Sequence, residues 1–515
     1  MPGAFISCGL LQDETAFDHV VSHYIMTGDT LKQYAAEYLR SYAHFHYGIP
    51  RHLPKTVNAR NFISTHDSIF RYYWDSCGFT VNVGDAIYDI DTITEKYLID
   101  NIDLAFDSWN RPWANSVSFD EFCKYILPYR NGDEELSNWR RYFKTRYEYS
   151  IIDSVSDPTS IEDVAQYLIR CLRREITYGP RTGSICQDLM RPEDIERLHW
   201  AGCMNAAHYT TLAMRACGVP CAHIDIHWRF TEVTHSSVLF PEVGNNKRAF
   251  RLTIGDTLMY MGAPKDTMAA YRVWAKSYEP NLSLLKVLRE SEQKEEETAL
   301  RAFALPVTRE DVTALFCKTY NFSLPIPDSL RDKGPLFLCR FYQWDWHPVR
   351  EGMVFNDSVY FRDATIRQLY RLGCFVNDSV RTYGTPFTLS GNPDIRVCND
   401  RIRPYNHTGD TVLFKRVYVC SDVETQTEKK ITTFYWNENN RWKPYTGLSH
   451  LWGFNKETGE YRLYDESISK DFKPVFYLLE IKLPCWTIFT DDATPRPLGF
   501  IAKDSLSSEG YFMEF

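Results

Sequence analysis

The segment around Cys203 constrains the fold of this chain more than any other. Gly202 precedes the cysteine, a helical pattern follows to Gly218, and Pro220 stands two residues further on. Gly and Pro at these places predict a helix that starts at or just after Cys203 and ends near Cys217. A thiol at a helix N-terminus feels the positive end of the helix dipole, which favours the reactive thiolate. Cys203 is therefore a candidate nucleophile, with a buried, inert core cysteine as the alternative.

A cysteine nucleophile needs a histidine that takes up its proton, and the histidine needs a group that orients it. The pattern after Pro220 predicts two strands, a turn and a returning strand, at 221–230, 236–240, 244–246 and 248–254. A turn centred between residues 245 and 246 pairs His235 with Asp256. We therefore predict a Cys203–His235–Asp256 triad, with Glu242 and Asp225 as alternatives for the acid.

The tetrahedral intermediate of acyl transfer carries an oxyanion, which needs fixed hydrogen-bond donors. The backbone N–H of Cys203 at the helix start is one candidate. Gln187 and Trp200 are candidate side-chain donors, and a plain polar or packing role is the alternative for each.

A metal-dependent hydrolase is a further alternative, in which His223, His227 and an acid converge on one point together with His235. We expect no metal and no cofactor, because His223 and His227 lie four residues apart on a predicted strand. His208 follows Cys203 by five residues on the helix, so it points away from the thiol and is expected to pack in the core.

Composition excludes several classes of protein. The chain has 515 residues, with 44% hydrophobic and 24% charged residues, as in globular proteins. The net charge is −9 and no basic block stands out, so a nucleic acid partner is not expected. No apolar run is long enough for a transmembrane helix. The 14 cysteines follow no disulfide framework, so most are expected to be buried free thiols.

The order of patterns predicts an α+β protein of several domains. Residues 1–150 form a helical region with caps such as Asp29 and Ser118, and Ser160 begins a further helix. We expect an α+β core over 151–275 and a helical connector over 276–310. Short strands separated by turn residues then predict two β-sandwiches, over 311–405 and 406–515.

A cysteine at a helix start, followed by a histidine and an acid on adjacent strands, resembles the core of the transglutaminase-like superfamily, which is papain-like. The motifs that carry the resemblance are Gly202-Cys203, the segment from Arg215 to Pro220, and His235. The N-terminal segments 29–39 and 122–130, with Glu134 and Trp139-Arg140, resemble multidomain transglutaminase-domain proteins of Bacteroidetes-type bacteria. Two features differ from that pattern. Ser236-Ser237 stand where an aromatic residue usually follows the histidine, and Asp256 lies 21 residues after His235 rather than about fifteen.

The resemblance implies a cysteine enzyme that acts on amide or peptide bonds through a thioester, hydrolytic rather than cross-linking. Its substrate would be a protein, peptide or glycopeptide. The aromatic run Phe341-Tyr342-Gln343-Trp344-Asp345-Trp346 could contact a glycan through a sandwich, although we favour a sandwich core with edge aromatics. Relatives of this type are exported to the periplasm or surface, although no complete signal peptide stands at this N-terminus. The alternative function is a non-catalytic cell-surface or glycan-associated scaffold that keeps the fold.

Overall fold

The computed structural model describes residues 15–52, 82–179, 189–228, 234–261, 270–292, 298–331, 333–342, 345–365, 369–389 and 395–397, and the strands beyond residue 410. Helices and sheets both occur throughout the first 316 residues, and strands dominate afterwards. The predicted α+β class is confirmed at this level.

The helices in the described part of the chain concentrate in its N-terminal half. They are α1 (Ala16–Thr27), α2 (Thr30–Tyr42), α3 (Asp89–Thr92), α4 (Glu95–Trp109), α5 (Phe119–Tyr125), α6 (Trp139–Ser154), α7 (Ile161–Glu175), α8 (Pro192–Leu198), α9 (Cys203–Ala216), α10 (Leu282–Glu292), α11 (Thr298–Ala304) and α12 (Thr313–Phe316).

The first 311 residues also contain twelve described strands. They are β1 (Tyr47–Gly48), β2 (Arg51–His52), β3 (Asn82–Val83), β4 (Ile87–Tyr88), β5 (Thr177–Tyr178), β6 (Trp200–Ala201), β7 (Ala222–Trp228), β8 (Thr234–Phe240), β9 (Phe250–Arg251), β10 (Met259–Tyr260), β11 (Ala270–Lys276) and β12 (Arg309–Asp311). Six of them form one sheet in the order β10-β9-β8-β7-β11-β12, and β5 pairs in parallel with β6.

Side-chain caps fix where the predicted helices begin. Asp29 accepts from the Lys32 N–H ahead of α2, and Ser160 accepts from the Asp163 N–H ahead of α7. Ser118 and Glu121 form a capping box at α5. Each cap satisfies an N–H group that has no partner within its helix, so these starts were predictable from sequence.

The remaining strands form antiparallel sheets. They are β13 (Thr319–Pro325), β14 (Phe337–Tyr342), β15 (Asp345–Glu351), β16 (Met353–Phe355), β17 (Ser358–Thr365), β18 (Leu369–Val376), β19 (Ser379–Leu389), β20 (Ile395–Val397), β21 (Thr411–Leu413), β22 (Tyr435–Glu438), β23 (Arg441–Pro444), β24 (Leu448–Asn455), β25 (Glu460–Lys470), β26 (Lys473–Tyr477), β27 (Thr487–Asp491), β28 (Pro497–Lys503) and β29 (Gly510–Glu514).

Between residues 319 and 397, a three-stranded sheet (β13-β17-β16) and a five-stranded sheet (β15-β14-β18-β19-β20) share one apolar core. Phe322 and Phe361 from the first sheet pack with Leu338 and Phe387 from the second. Beyond residue 410, seven strands form a single sheet in the order β21-β26-β25-β24-β27-β28-β29. In the aromatic run suggested for glycan contact, Trp346 is 7% exposed and belongs to a core cluster, whereas Trp344 lies outside the described residues.

The largest hydrophobic core runs from Phe17 in α1 to Tyr278 after β11. It contains residues from the N-terminal helices together with most of α9 and the inner side chains of β8, such as Val238 and Phe240. The core is therefore continuous across residue 150, where the sequence predicts a domain boundary. The domain boundary at residue 150 stays a prediction. In the structure, the segments before and after it pack into the same core.

The C-terminal end of α9 is closed by three side chains from the N-terminal region, two from helices and one from the turn before α5. Arg140 Nη1 donates to the Arg215 carbonyl at 3.1 Å, Ser108 Oγ to the Ala216 carbonyl at 2.7 Å, and Trp113 Nε1 to the Cys217 carbonyl at 2.7 Å. The last carbonyls of a helix have no partner within it, so these bonds replace water at a buried helix end.

Gly218 lets this end approach the N-terminal region closely. Its φ of +76° and the bond from the Val219 N–H to the Met214 carbonyl at 2.9 Å form a Schellman cap. A Cβ at this position would lie 2.3 Å from the Ser108 carbonyl oxygen, and backbone cannot move aside as a flexible side chain can.

No helix among the described residues combines the length and the apolar character needed to cross a membrane.

We expect Gly218→Ala to destabilise the fold more than Gly28→Ala. Both glycines have φ near +75°, but a Cβ at Gly28 meets no atom within 4 Å. Gly28→Ala should cost about 1 kcal/mol of unfolding free energy through backbone strain alone. Gly218→Ala should cost about 3 kcal/mol or more, because the contact with Ser108 adds to the strain. Urea denaturation measures both, and equal losses would contradict a close-packed helix end.

Candidate active site

Cys203 is the first residue of α9, and a short pair of parallel strands positions the chain just before it. The parallel pair β5–β6 lies immediately before the helix, with Thr177 beside Trp200 and Tyr178 beside Ala201. Gly202 is the N-cap residue, and no side chain caps the N–H groups of the first turn. The thiol therefore lies among backbone donors that a capping side chain would otherwise occupy.

His235 and Ser237 hold one carboxylate between them. Residues two apart on a strand share a face, and both side chains reach Asp256 from the start of β8. His235 Nε2 is 3.2 Å from Asp256 Oδ1, and Ser237 Oγ donates to Asp256 Oδ2 at 2.6 Å. With Nε2 engaged by the carboxylate, Nδ1 is the ring nitrogen left for the Cys203 thiol, with which His235 is hydrogen-bonded.

Asp256 reaches His235 by a route that differs from the predicted hairpin. The observed register pairs Leu239 with Arg251 and Phe240 with Phe250, one residue off the predicted register. Within a continued ladder, that shift would turn Asp256 to the wrong face. However, β9 ends at Arg251 and the chain leaves the sheet after the bond from the Leu252 N–H to the Val238 carbonyl. The alternation therefore no longer governs residue 256.

Arg173, at the end of α7, holds the turn that carries Asp256. Its Nε donates to the Ile254 carbonyl at 2.8 Å and its Nη2 to the Thr253 carbonyl at 3.0 Å, and Nη2 also donates to the Asp256 carbonyl. A guanidinium offers several donors in a rigid plane, which suits a turn with adjacent free carbonyls. The acid is thus positioned from a helix outside the hairpin.

The Cys203 sulfur accepts hydrogen bonds that favour the thiolate. The bond to His235 contributes most to lowering the pKa of Cys203, and backbone N–H groups of Ser236 and Met204 add to it against the opposing effect of burial. The Val238 carbonyl faces β9, so Ser236, two residues before it, directs its own N–H to the same side. Because β9 does not extend that far, this N–H is available to the sulfur.

His235 is the matching cation. Burial alone would lower its pKa, but the hydrogen bonds with Asp256 and Cys203 outweigh burial and raise the pKa to about 9. Although burial opposes it, the pKa of the Asp256 carboxyl is lowered by the bonds from His235 and Ser237 and by the charge of Arg251. The arrangement therefore favours a thiolate–imidazolium pair with an ionised carboxylate behind it.

Tyr178 is a neighbour of the nucleophile that the sequence did not single out. Its side chain is 37% exposed, and burial followed by the charges of Cys203 and Asp256 raises the pKa of its hydroxyl. The ring lies against Gly255, where a Cβ would come within 2.4 Å of it. Gly255 thus leaves space for an aromatic ring beside Cys203 and Asp256.

The two candidate oxyanion donors have different outcomes. Trp200 lies on β6, three residues before Cys203, and its indole packs over Gly179. Gln187 lies outside the described residues. The role of either side chain as an oxyanion donor stays a prediction.

The alternative acids lie elsewhere. Asp225 pairs with Ser236 across β7 and β8 and accepts a hydrogen bond from its hydroxyl at 2.6 Å. Its side chain therefore lies on the face of the sheet opposite to that of His235. Glu242 is exposed beyond the far end of β8 from His235. Of the three acids considered, Asp256 is the one hydrogen-bonded to His235.

The three histidines of the metal alternative do not converge. His235 pairs with Ile226, whose side chain points away from the face that His223 and His227 share. Among the described residues, no group of three His, Cys, Asp or Glu side chains is arranged to hold a metal ion. His208 is fully buried, its Nδ1 lies 3.0 Å from Asn131 Nδ2, and burial lowers its pKa to about 4.

We expect Cys203 to react with iodoacetamide at a lower pH than the other thiols. Burial raises the pKa of Cys123 and Cys221 to about 12, whereas the pKa of Cys203 is lowered. His235→Ala removes the main stabiliser of the thiolate, so alkylation of Cys203 at pH 6 should slow by about tenfold or more. The rates of the variant and the wild type should converge near pH 10.

Peptide mapping by mass spectrometry follows each thiol separately in that experiment. Cys171, which is half-buried and free, provides the internal reference. Identical pH profiles of Cys203 in wild type and His235→Ala would contradict the ion pair.

Comparison of this chain with family models, with curated proteins and with solved structures gives no match. Conclusions about its function therefore depend on the residues and geometry described above.

Proposed function

We propose that this chain is a transglutaminase-like cysteine hydrolase that cleaves amide or peptide bonds through a thioester on Cys203. The observation that carries this proposal is the hydrogen-bonded series from Cys203 through His235 to Asp256, with the thiol pKa lowered and the imidazole pKa raised to about 9. In such a pair, the thiolate is the nucleophile and the imidazolium of His235 is the acid beside it.

Acylation uses both members of the pair. The Cys203 thiolate attacks the carbonyl carbon of the amide, and the carbonyl electrons move to oxygen to form an oxyanion. The backbone N–H of Cys203, at an uncapped helix start, is the expected donor to that oxygen. The intermediate then collapses to a thioester as the imidazolium of His235 protonates the departing amine, which leaves His235 neutral.

Deacylation returns the site to its starting state. Neutral His235 removes a proton from water, and the resulting hydroxide attacks the thioester carbonyl. Collapse of the second intermediate releases a carboxylic acid and the Cys203 thiolate, with His235 again protonated. Asp256 holds the ring orientation in both steps and stabilises the imidazolium. An amine in place of water would give cross-linking, and we favour hydrolysis.

The domain organisation supports this proposal at a coarser level. The nucleophile helix packs on an antiparallel sheet, and the histidine strand and the acid follow it in the chain, as in the transglutaminase-like core that the sequence resembles. Asp256 differs from that pattern, because it lies on a turn after β9 and not on the strand itself. We propose that the strands from Thr319 onward form accessory modules that position a protein, peptide or glycopeptide substrate. Glycan contact through their aromatic residues stays a prediction.

The proposal is tested with p-nitrophenyl acetate, an activated acyl donor. We expect a burst of p-nitrophenol equal to the enzyme concentration, together with an acetyl group on Cys203 detected by mass spectrometry. Cys203→Ser should lose the burst, whereas Cys171→Ser should keep it. Absence of both burst and acetylation in the wild type would instead favour the non-catalytic scaffold.

We expect Asp256→Asn to lower turnover of this ester by about 10²-fold or more, because the imidazolium loses the carboxylate that stabilises and orients it. The ascending limb of the pH–rate profile should also move to lower pH, since neutral His235 is the base in deacylation and the Asp256 bond raises the pKa of His235. Glu242→Gln, a substitution of an exposed acid on the same hairpin, is the matched control. Equal effects of the two substitutions would exclude Asp256 as the orienting acid.

A further inference from the structure

Arg251 is a buried cation beside the candidate active site. It lies on β9, where it pairs with Leu239 of β8 and Met259 of β10, and it is 9% exposed. Its Nε is buried without a hydrogen-bond partner. A buried guanidinium without partners costs free energy, so its retention calls for a reason.

Seven other buried arginines are bonded to oxygen atoms. Arg51, Arg130, Arg140, Arg215, Arg272, Arg350 and Arg371 each donate to carboxylate, carbonyl or hydroxyl oxygens. Arg251 departs from this pattern, since its guanidinium makes no hydrogen bond or ion pair with any residue that the structure describes, although its backbone pairs within the sheet. Its donors are therefore not used in holding the described fold together.

Asp256 is an acid within reach of the charge of Arg251, and both of its carboxylate oxygens are already engaged. Oδ1 contacts His235 and Oδ2 accepts from Ser237, and no ion pair within 4.0 Å joins Asp256 to Arg251. Arg251 acts on Asp256 through its charge alone and helps to lower the pKa of that carboxyl. The guanidinium thus acts electrostatically on an acid that it does not bind.

The sheet register places Arg251 on the side of the candidate active site. Arg251 pairs with Leu239, whose side chain shares one face of β8 with His235 and Ser237. The charges of Cys203, Asp256 and Arg251 all act on the hydroxyl of Tyr178. The Tyr178 side chain is partly open to solvent, and Gly255 leaves its ring uncrowded. A molecule that reaches Cys203 along this ring passes within the field of the guanidinium.

We infer that Arg251 binds a carboxylate of the substrate, so that the hydrolysed amide belongs to a peptide with a free carboxylate near the scissile bond. A planar guanidinium with free donors matches a carboxylate in a two-point contact. The carboxylate belongs either to an acidic side chain or to a peptide C-terminus, which share this chemistry. The inference rests on the proposed function, because it assigns the substrate class of the same site.

Three chloroacetyl probes that alkylate thiols test the assignment. N-chloroacetyl-glutamine amide is neutral, N-chloroacetyl-glutamate amide carries a side-chain carboxylate, and N-chloroacetyl-glutamine free acid carries a C-terminal carboxylate. We expect one anionic probe to alkylate Cys203 about tenfold faster than the neutral probe, and the faster one identifies the carboxylate. The net charge of −9 opposes this preference elsewhere on the surface.

The ratio of anionic to neutral rates isolates Arg251 from the reactivity of the thiol. Arg251→Met should bring this ratio to about one, because methionine fills the position without charge. Arg248→Met is the matched control on the same hairpin, since Arg248 lies over Tyr260 at 4.8 Å, and it should keep the wild-type ratio. The wild-type ratio needs no variant and is informative even where a substituted chain does not fold.

The outcomes separate the two proposals. Equal rates of the neutral and both anionic probes in the wild type, or a preference that persists in Arg251→Met, would overturn the carboxylate site while leaving the nucleophile intact. A neutral probe that alkylates Cys203 no faster than Cys171 would contradict the proposed function itself.

Discussion

The buried C-terminal end of the nucleophile helix is the constraint on which the rest of the structure depends. The carbonyls of Arg215, Ala216 and Cys217 have no helical partners and no access to water, and side chains of the N-terminal region satisfy them. The helix therefore cannot keep its place without that region. This makes the first 150 residues part of the framework that positions Cys203, since a shift of about 1 Å in a reacting group is enough to impair catalysis.

At the N-terminal end of the nucleophile helix, the first residues of β8 make contacts on both faces of the sheet. Ser237 supports Asp256 on the face that carries His235, whereas Ser236 bonds Asp225 on the other face and directs its N–H to Cys203. The two serines replace the aromatic residue that the family resemblance leads one to expect. Each has a defined hydrogen-bonding role, so this departure is compatible with an organised site.

Much of this arrangement was accessible from the sequence, because local signals determine it. The caps at Asp29 and Ser118 and the Gly218 terminus fix helix bounds within a few residues. The pairing of His235 with Asp256 was predicted from the hairpin, yet the register is one residue off and the contact forms only because β9 is short. Local patterns do not encode where a ladder stops.

The contributions of Arg173, Tyr178 and Arg251 to the site could not be predicted from local sequence patterns. Arg173 acts across 80 or more residues of sequence, and its effect depends on carbonyls exposed by an irregular turn. Tyr178 reaches the site through a two-residue parallel pairing, which leaves no periodic signal. Arg251 stands out only when its burial and its lack of partners in the described structure are considered together.

At Gly202, the uncapped start of α9, stability of the helix and reactivity of the site favour different residues. Ser, Asp or Asn at an N-cap would stabilise the helix by a few tenths of a kcal/mol relative to glycine. The same side chain would occupy the N–H groups that face the reacting atoms, and a carboxylate there would repel a developing oxyanion. Random substitution selected for thermal stability alone would therefore tend to silence this site at position 202, without disturbing any member of the Cys203–His235–Asp256 series.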